Sequence, residues 1–286
     1  MWDVLVAGGG VSGVCAAMAA ARNGARTLLV ERYGFCGGTL TNAGVGPMMT
    51  FHAGSRQVVG GLAQEIVDRL RARGASPGHV EDTTGYCATV TPFDAEQLKQ
   101  VHDELLAESG CQVLYHTWLA GSRVEGDRLQ SVIVCNKAGL SELAAKVYVD
   151  ATGDGDLCAF SGAATAKGRE EDGLCQPMTA NLKIGGVDIA RLRAHIRSHP
   201  EDFNIRDLTA LDRASRLSMA GFYRVWQEAK EDGKVTVPRE DVLLFETARP
   251  GEVIVNTTRV IRMDATDPWQ LSEAERVGRR QAQEVF

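Results

Sequence analysis

Trp2-Asp3-Val4-Leu5-Val6-Ala7-Gly8-Gly9-Gly10-Val11-Ser12-Gly13 opens the chain, and its reading decides the fold. Residues 2–7 form a short apolar run that stops at three glycines, the pattern of a parallel strand buried on both faces. An alanine-rich segment, Val11 to Asn23, follows as a helix closed by Gly24. Arg26 to Glu31 then gives a second apolar strand, so strand, helix and strand fit within about 30 residues as one βαβ unit. In that setting Gly8, Gly10 and Gly13 have distinct duties. Gly8 permits the tight turn, Gly10 lets backbone approach a pyrophosphate, and Gly13 lets the helix pack close to the strand. Val11 and Ser12 begin the helix, whose free N–H groups and positive dipole suit a diphosphate. Glu31, ending the second strand, stands where an acid accepts hydrogen bonds from ribose hydroxyls, with Arg32 beside it.

Further along, Leu62 to Arg73 repeats apolar residues at Leu62, Ile66, Val67 and Leu70, a helix closed by Gly74. Asp94 precedes a helix over Ala95 to Ser109, which Gly110 stops. A strand-rich stretch from Gln112 to Val149 turns at Glu125-Gly126-Asp127 and at Lys137-Ala138-Gly139. It ends in Val147-Tyr148-Val149, followed by Asp150-Ala151-Thr152-Gly153-Asp154-Gly155-Asp156. Past Gly162 the character changes. Residues 178–187 and 241–260 read as strands, with amphipathic helices over Ile189 to Ser198 and Leu211 to Asp232. Ser272 and Glu275 have capping-box spacing, which places the start of a last helix at Ser272, still running at Phe286. The expected division is 1–162 for nucleotide binding, 163–262 for a substrate or cap region, and 263–286 for a C-terminal helix returning to the first domain.

The chain has 286 residues, 44% hydrophobic and 24% charged, which is the composition of a globular domain able to bury a sizeable core. The formal net charge of -6 argues against a nucleic-acid partner. No apolar run approaches the roughly 18 residues of a membrane span, and the N-terminus lacks a basic region and cleavage site. Seven scattered cysteines show no Cys-x-x-Cys spacing. They read as reduced, mostly buried thiols of a cytoplasmic protein without a metal site.

The glycine motif and Glu31 fit FAD or NAD equally. Gly37-Gly38-Thr39 and the Val147-to-Asp156 segment separate them, and here the chain resembles the two-dinucleotide-binding-fold flavoproteins, which include glutathione reductase-like enzymes. More narrowly it resembles the FAD-dependent oxidoreductases related to heterodisulfide reductase. The matching stretches are Val4 to Gly13, Leu29 to Thr39, Tyr148 to Leu157 and Val253 to Arg259. The resemblance implies an α/β fold: a doubly wound, Rossmann-like FAD-binding domain with a β-meander and an inserted α+β substrate region. It implies noncovalent FAD with its diphosphate at Gly8–Gly13 and its ribose on Glu31. Gly37, Gly38 and Thr39 would follow the cofactor toward the flavin. Backbone at Leu119 and Ala120 would meet the adenine edge, and Ala151, Thr152 and Gly153 would approach the cofactor closely.

Disulfide reductases of this superfamily carry two redox cysteines directly after Gly-Gly-Thr. Leu40 and Val45 occupy those positions, so the flavin–dithiol relay has no thiols to use. Cys36 lies on the other side of the glycines. The expected activity is therefore an FAD-dependent dehydrogenase or oxidase that acts directly on a small organic substrate. The alternatives are a noncatalytic FAD or ADP-ribose scaffold and a flavoprotein that passes electrons within a larger complex. His52, soon after Gly37-Gly38-Thr39, is the histidine to expect near a flavin. Arg259 could pair a substrate carboxylate. Neither pattern is specific enough to name a catalytic residue. No late Gly-Asp segment returns to the nucleotide fold after Arg259, and so a C-terminal continuation or a complementing subunit is expected.

Overall fold

The computed structural model describes all 286 residues, and the chain divides into two compact units. The first comprises Met1–Asn42 and Ala95–Ala166; the second comprises Ala43–Asp94 and Lys167–Phe286.

In the first unit, Trp2–Ala7 is one of the two inner strands of a four-stranded parallel sheet. Ala145–Asp150 pairs on one side of it, Thr27–Val30 on the other, and Gln112–Leu114 beyond that. All four residues of Thr27–Val30 are buried, as its unbroken apolar run requires. The helices Val11–Arg22 and Ala95–Ser109 pack together, and the former lies along the first two strands. The sequence between the last two parallel strands forms an antiparallel meander of Trp118–Glu125, Arg128–Asn136 and Gly139–Leu143. Gly126 and Gly139 turn it with positive φ, where glycine carries no Cβ penalty. Leu5, Ala7, Leu28, Val30, Val132, Val134 and Leu157 form one core joining sheet to meander. This is the Rossmann-like α/β architecture with β-meander that the sequence implied.

The second unit is built on a five-stranded antiparallel sheet, in the order Leu182–Ile184, Val253–Val255, Val242–Glu246, Ser218–Gly221 and Phe203–Asn204. A smaller sheet orders Met48–Met49, Thr89–Thr91 and Val80–Glu81, and His52–Ala53 pairs with Arg56–Gln57. Residues 43–94 thus group with the later chain, where the sequence suggested a contiguous first domain to 162. The reason is specific bonding. Thr83 Oγ1 donates to the Ser218 carbonyl and accepts from the Ser218 N–H at 3.0 Å. Arg213 pairs with Glu81, Arg249 with Asp94, and Gly46 lies against Ile254 and Phe93.

Three local expectations are corrected. The helix foreseen over Leu211 to Asp232 is instead a short helix Ala210–Arg213, the buried strand Ser218–Gly221 and a helix Tyr223–Glu231. Thr83 and the sheet ladder hold Ser218–Gly221 extended, overriding an apolar spacing that also fits a helix. The strand foreseen over 178–187 shortens to Leu182–Ile184 plus a bridge from Met178 to Val260. The last helix runs Pro268–Val285, starting four residues before Ser272. Asp267 is its cap, accepting from the N–H groups of Trp269 and Gln270. Ser272 lies inside the helix and donates to the Pro268 carbonyl. No helix is long and apolar enough to cross a membrane.

Candidate functional site

In the first unit the strand Trp2–Ala7 feeds directly into the glycine turn, and each glycine there answers a different steric demand. A Cβ on Gly8 would sit 2.3 Å from the Ala151 carbonyl oxygen, and its φ of +101° is itself unfavourable to other residues. A Cβ on Gly13 would sit 1.8 Å from the Gly8 carbonyl oxygen. Gly10 differs: its Cβ would meet nothing nearer than Gly38 Cα at 3.8 Å. Gly8 and Gly13 are thus glycine for the protein's own packing, whereas Gly10 keeps space free above the turn.

Gly10 caps the Val11–Arg22 helix without any side-chain hydrogen bond, and no acidic residue lies in the first turn. The first N–H groups, including those of Val11, Ser12 and Gly13, are therefore open to an anion, with the helix dipole behind them. Gly38 approaches Gly10 closely; a Cβ there would come within 2.9 Å of Gly10 Cα. The Gly37 N–H donates to the Gly9 carbonyl at 2.8 Å, which fastens the second glycine segment to the first. Thr39 sits exposed in a single turn of 3₁₀ helix, Gly38–Leu40.

Glu31 is buried, at 5% exposure. Its Oε2 accepts from the Gly9 N–H at 2.6 Å and its Oε1 from the Tyr33 N–H at 2.8 Å. A carboxylate has about four acceptor positions, so two remain for hydroxyl donors. Arg32 is exposed and stacks over the rings of Tyr33 and Trp118. Trp118 begins the strand that contains Leu119 and Ala120. The Thr117 N–H donates to the Glu31 carbonyl, so this strand starts beside the acid. Ala151 and Thr152 touch Gly8 from the end of the fourth parallel strand, and Gly153 has open space around its Cα with φ +97°.

Residues not singled out by sequence support these elements. Asp150 accepts from the N–H and hydroxyl of Thr152 and from the Cys158 N–H. Burial pushes its carboxyl up, but those bonds outweigh burial and hold it below its ordinary value. Asp150 thereby fixes the Ala151–Gly153 turn, and the acid-rich run after the strand was the available signal. Cys36 is fully buried under the turn; a Cβ on Gly9 would lie 2.7 Å from its Sγ. Burial raises the Cys36 thiol to about 12. His102, bonded to the Cys36 backbone, is buried with Nδ1 unpartnered, and burial lowers it to about 4. Nothing local in the sequence marks Cys36 and His102 as neighbours.

His52, Arg259 and Val45 belong to the second unit, while Leu40 belongs to the first. Arg259 is held by its backbone. Gln281 Oε1 accepts from its N–H at 2.8 Å, and Gln281 Nε2 donates to its carbonyl at 3.1 Å. His52 Nδ1 lies 3.0 Å from Thr89 Oγ1 in a polar cluster that also includes Thr50 and His79. None of the seven cysteines forms a disulfide.

A family model described as FAD dependent oxidoreductase matches residues 3–286. No curated protein sequence matches the chain. Among solved structures, a flavin-dependent brominase is 14% identical with a TM-score of 0.54, over 90% of this chain and 55% of that one. The p-nitrophenol 4-monooxygenase of Pseudomonas putida DLL-E4 is 12% identical with a TM-score of 0.53, over 98% and 62%. The glycerol-3-phosphate dehydrogenase of Bacillus halodurans, complexed with FAD, is 16% identical with a TM-score of 0.50, over 94% and 49%. The chain therefore spans about half to two thirds of the length of these structures, and the likeness is one of fold.

Proposed function

The chain belongs to the FAD dependent oxidoreductase family, and from that premise we propose that it is a dehydrogenase or oxidase acting directly on a small organic substrate. The narrower kinship with the glutathione reductase-like flavoproteins related to heterodisulfide reductase is part of the proposal. So are the substrates and partners of the whole protein. The carrying observation is the uncapped N-terminus of Val11–Arg22 beneath the free space at Gly10. In this reading the N–H groups of Val11, Ser12 and Gly13 bind the diphosphate while Gly8 holds the turn. Glu31 accepts the ribose hydroxyls through its two remaining acceptor positions. Arg32 and the backbone of Leu119 and Ala120 border the adenine. Gly37, Gly38 and Thr39 lead toward the flavin, and Ala151, Thr152 and Gly153 line the same side of the turn as Gly8.

Bound FAD supplies an acceptor for two electrons. The chain's own residues bind and orient. The residues at the dithiol positions support direct action on substrate: Leu40 and Val45 carry no thiol, and burial raises the pKa of nearby Cys36. Unrelated chemistries share this fold, so fold likeness does not choose a substrate.

Visible absorbance of the purified chain tests the reading. Flavin bands that bleach anaerobically with an alcohol or amine are expected. A colourless protein that takes up no added FAD would overturn the cofactor site. Stable flavin that no organic substrate reduces would favour an electron-transfer or scaffold role.

A further inference from the structure

Beneath the glycine turn of the first unit, Gly9 packs against two side chains. A Cβ there would stand 2.7 Å from Cys36 Sγ and 2.9 Å from Glu31 Oε2, so any larger residue would displace the thiol or the carboxylate. Gly9 is also bonded through both its backbone groups. Its N–H donates to Glu31 Oε2 at 2.6 Å, and its carbonyl accepts from the Gly37 N–H at 2.8 Å. The peptide group that supplies the Gly37 N–H also carries the Cys36 carbonyl, which accepts from Thr41 Oγ1 at 2.9 Å. The two glycine segments therefore meet at Cys36, by its side chain under Gly9 and by its peptide group on the Gly9 carbonyl. Where Cys36 stands sets where Gly9, Glu31 and the Gly37–Gly38 pair stand.

Cys36 is itself anchored. Tyr115 Oη lies 3.6 Å from Cys36 Sγ and donates to Asp103 Oδ1. A phenol has one proton and a carboxylate only accepts, so that proton belongs to the Asp103 bond. In the sulfur contact the thiol is then the donor, to Tyr115 Oη. Burial, followed by the bond to Asp103, holds the Tyr115 phenol above its ordinary pKa, so it keeps its proton. The three residues all lie in the first unit, with Cys36 fully buried, Tyr115 half-buried and Asp103 exposed. Tyr115 directly follows the strand Gln112–Leu114, which pairs with Thr27–Val30. Asp103 lies on the helix Ala95–Ser109, which packs on Val11–Arg22. Packing confines the sulfur by volume, and the bond to Tyr115 fixes its direction as well.

We propose that Cys36, anchored through Tyr115 to Asp103, is a positioning residue for FAD: it holds Gly9 and Gly37 together, and with them the Glu31 carboxylate and the gap between Gly10 and Gly38. This rests on the cofactor site described above. Cys36 touches no part of the cofactor in this role and moves no electrons. It acts through Gly9, whose N–H orients the carboxylate that takes the ribose, and through Gly37, whose neighbour Gly38 borders the space above Gly10. Loss of the anchor leaves the elements of the site in place and lowers the fraction of molecules in which they are aligned.

Two measurements test this. Infrared spectra of the full chain read the anchor, because the S–H stretch absorbs where other protein groups do not. Cys36→Ser removes the Cys36 band and so identifies it. Tyr115→Phe should move that band to higher frequency, toward a thiol that donates to nothing, and an unmoved band overturns the proposal. Second, FAD is titrated into the flavin-free chain and its fluorescence followed. Tyr115→Phe should weaken FAD binding about fivefold, the size of one lost hydrogen bond. Cys36→Ala should weaken it at least as much, and Cys36→Ser, which keeps a donor, should recover part of the loss. Adding Tyr115→Phe to Cys36→Ala should cost nothing more, since the anchor is already gone. Additive losses, a serine no better than alanine, or unchanged affinity in Tyr115→Phe would overturn the positioning role alone. An unmodified chain that takes up no FAD would instead defeat the cofactor site on which the role rests.

Discussion

The glycine turn of the first unit and the His52 cluster of the second are built by opposite means. The turn is made of backbone: N–H groups, carbonyls and the room left by missing Cβ atoms. Gly8, Gly13 and Gly38 are confined there by main-chain atoms at 1.8 to 2.9 Å from where a Cβ would stand. The His52 cluster is made of side chains, Thr50, Thr89, His79 and Gln64, whose proton directions determine what each can do. A feature made of backbone constrains its residue types locally, whereas one made of side chains can be altered by exchanging any of them.

The largest effect that can break this contrast is at Gly13. Gly13→Val must displace the Gly8 carbonyl, and a loss of about 4 kcal/mol or more is expected, in the class of severe overpacking. Gly10→Val, three residues earlier, meets open space. It should cost the fold no more than about 1 kcal/mol yet abolish flavin retention. Urea unfolding and the ratio of flavin to protein absorbance, measured on both variants, read the two effects separately. Equal stability losses would mean that Gly10, too, is glycine for packing.

The same contrast explains what sequence could reveal. The parallel strands, the Ala95–Ser109 helix and the glycine turn were legible because local sterics impose their residue types. Glu31 directly follows the second strand, Thr27–Val30, as its place in the sequence indicated. The grouping of residues 43–94 with the second unit was not legible, because the bonds that make it, such as Thr83 to Ser218, span 135 positions. Ser218–Gly221 read as helix because a short apolar run has no period of its own. The contact of His52 Nδ1 with Thr89 Oγ1 spans 37 residues, and no local pattern encodes it.

The next effect in size tests whether the backbone site leans on buried side-chain chemistry after all. His102 is buried and its pKa is lowered to about 4, by burial first, from an ordinary 6.5. The unfolded chain takes up this proton at higher pH than the folded one. Stability from this group is therefore intact above about pH 6.5 and falls as pH drops toward 4, by about 3 kcal/mol in all. His102→Leu lacks that loss, so the stability difference between wild type and variant should change by this amount between pH 7 and pH 4. A difference independent of pH would show that His102 is already protonated in the folded protein, or is free to be.

The smallest effect sharpens the comparison from the second unit, where a side chain does the work of backbone. Gln281 is 5% exposed on the Pro268–Val285 helix and bonds both the N–H and the carbonyl of Arg259. It thereby imitates one rung of a sheet at a point where the chain has left the ladder, since Val253–Val255 ends four residues earlier. Gln281→Leu preserves most of the volume but leaves both backbone groups without partners. Because Arg259 is half-buried, water can replace part of the loss, and about 2 kcal/mol is expected. Gln281→Glu is the discriminating variant. It still accepts from the Arg259 N–H, but where the amide donated it turns a carboxylate oxygen toward the Arg259 carbonyl. Two acceptors then face each other in a buried place, so Glu should be no better than Leu, although its shape is nearly that of Gln. Urea midpoints that rank Gln above Leu and Glu would establish the paired bonding. If Gln281→Glu matched the wild type, only the N–H bond would matter, and the likeness to a sheet rung would fail.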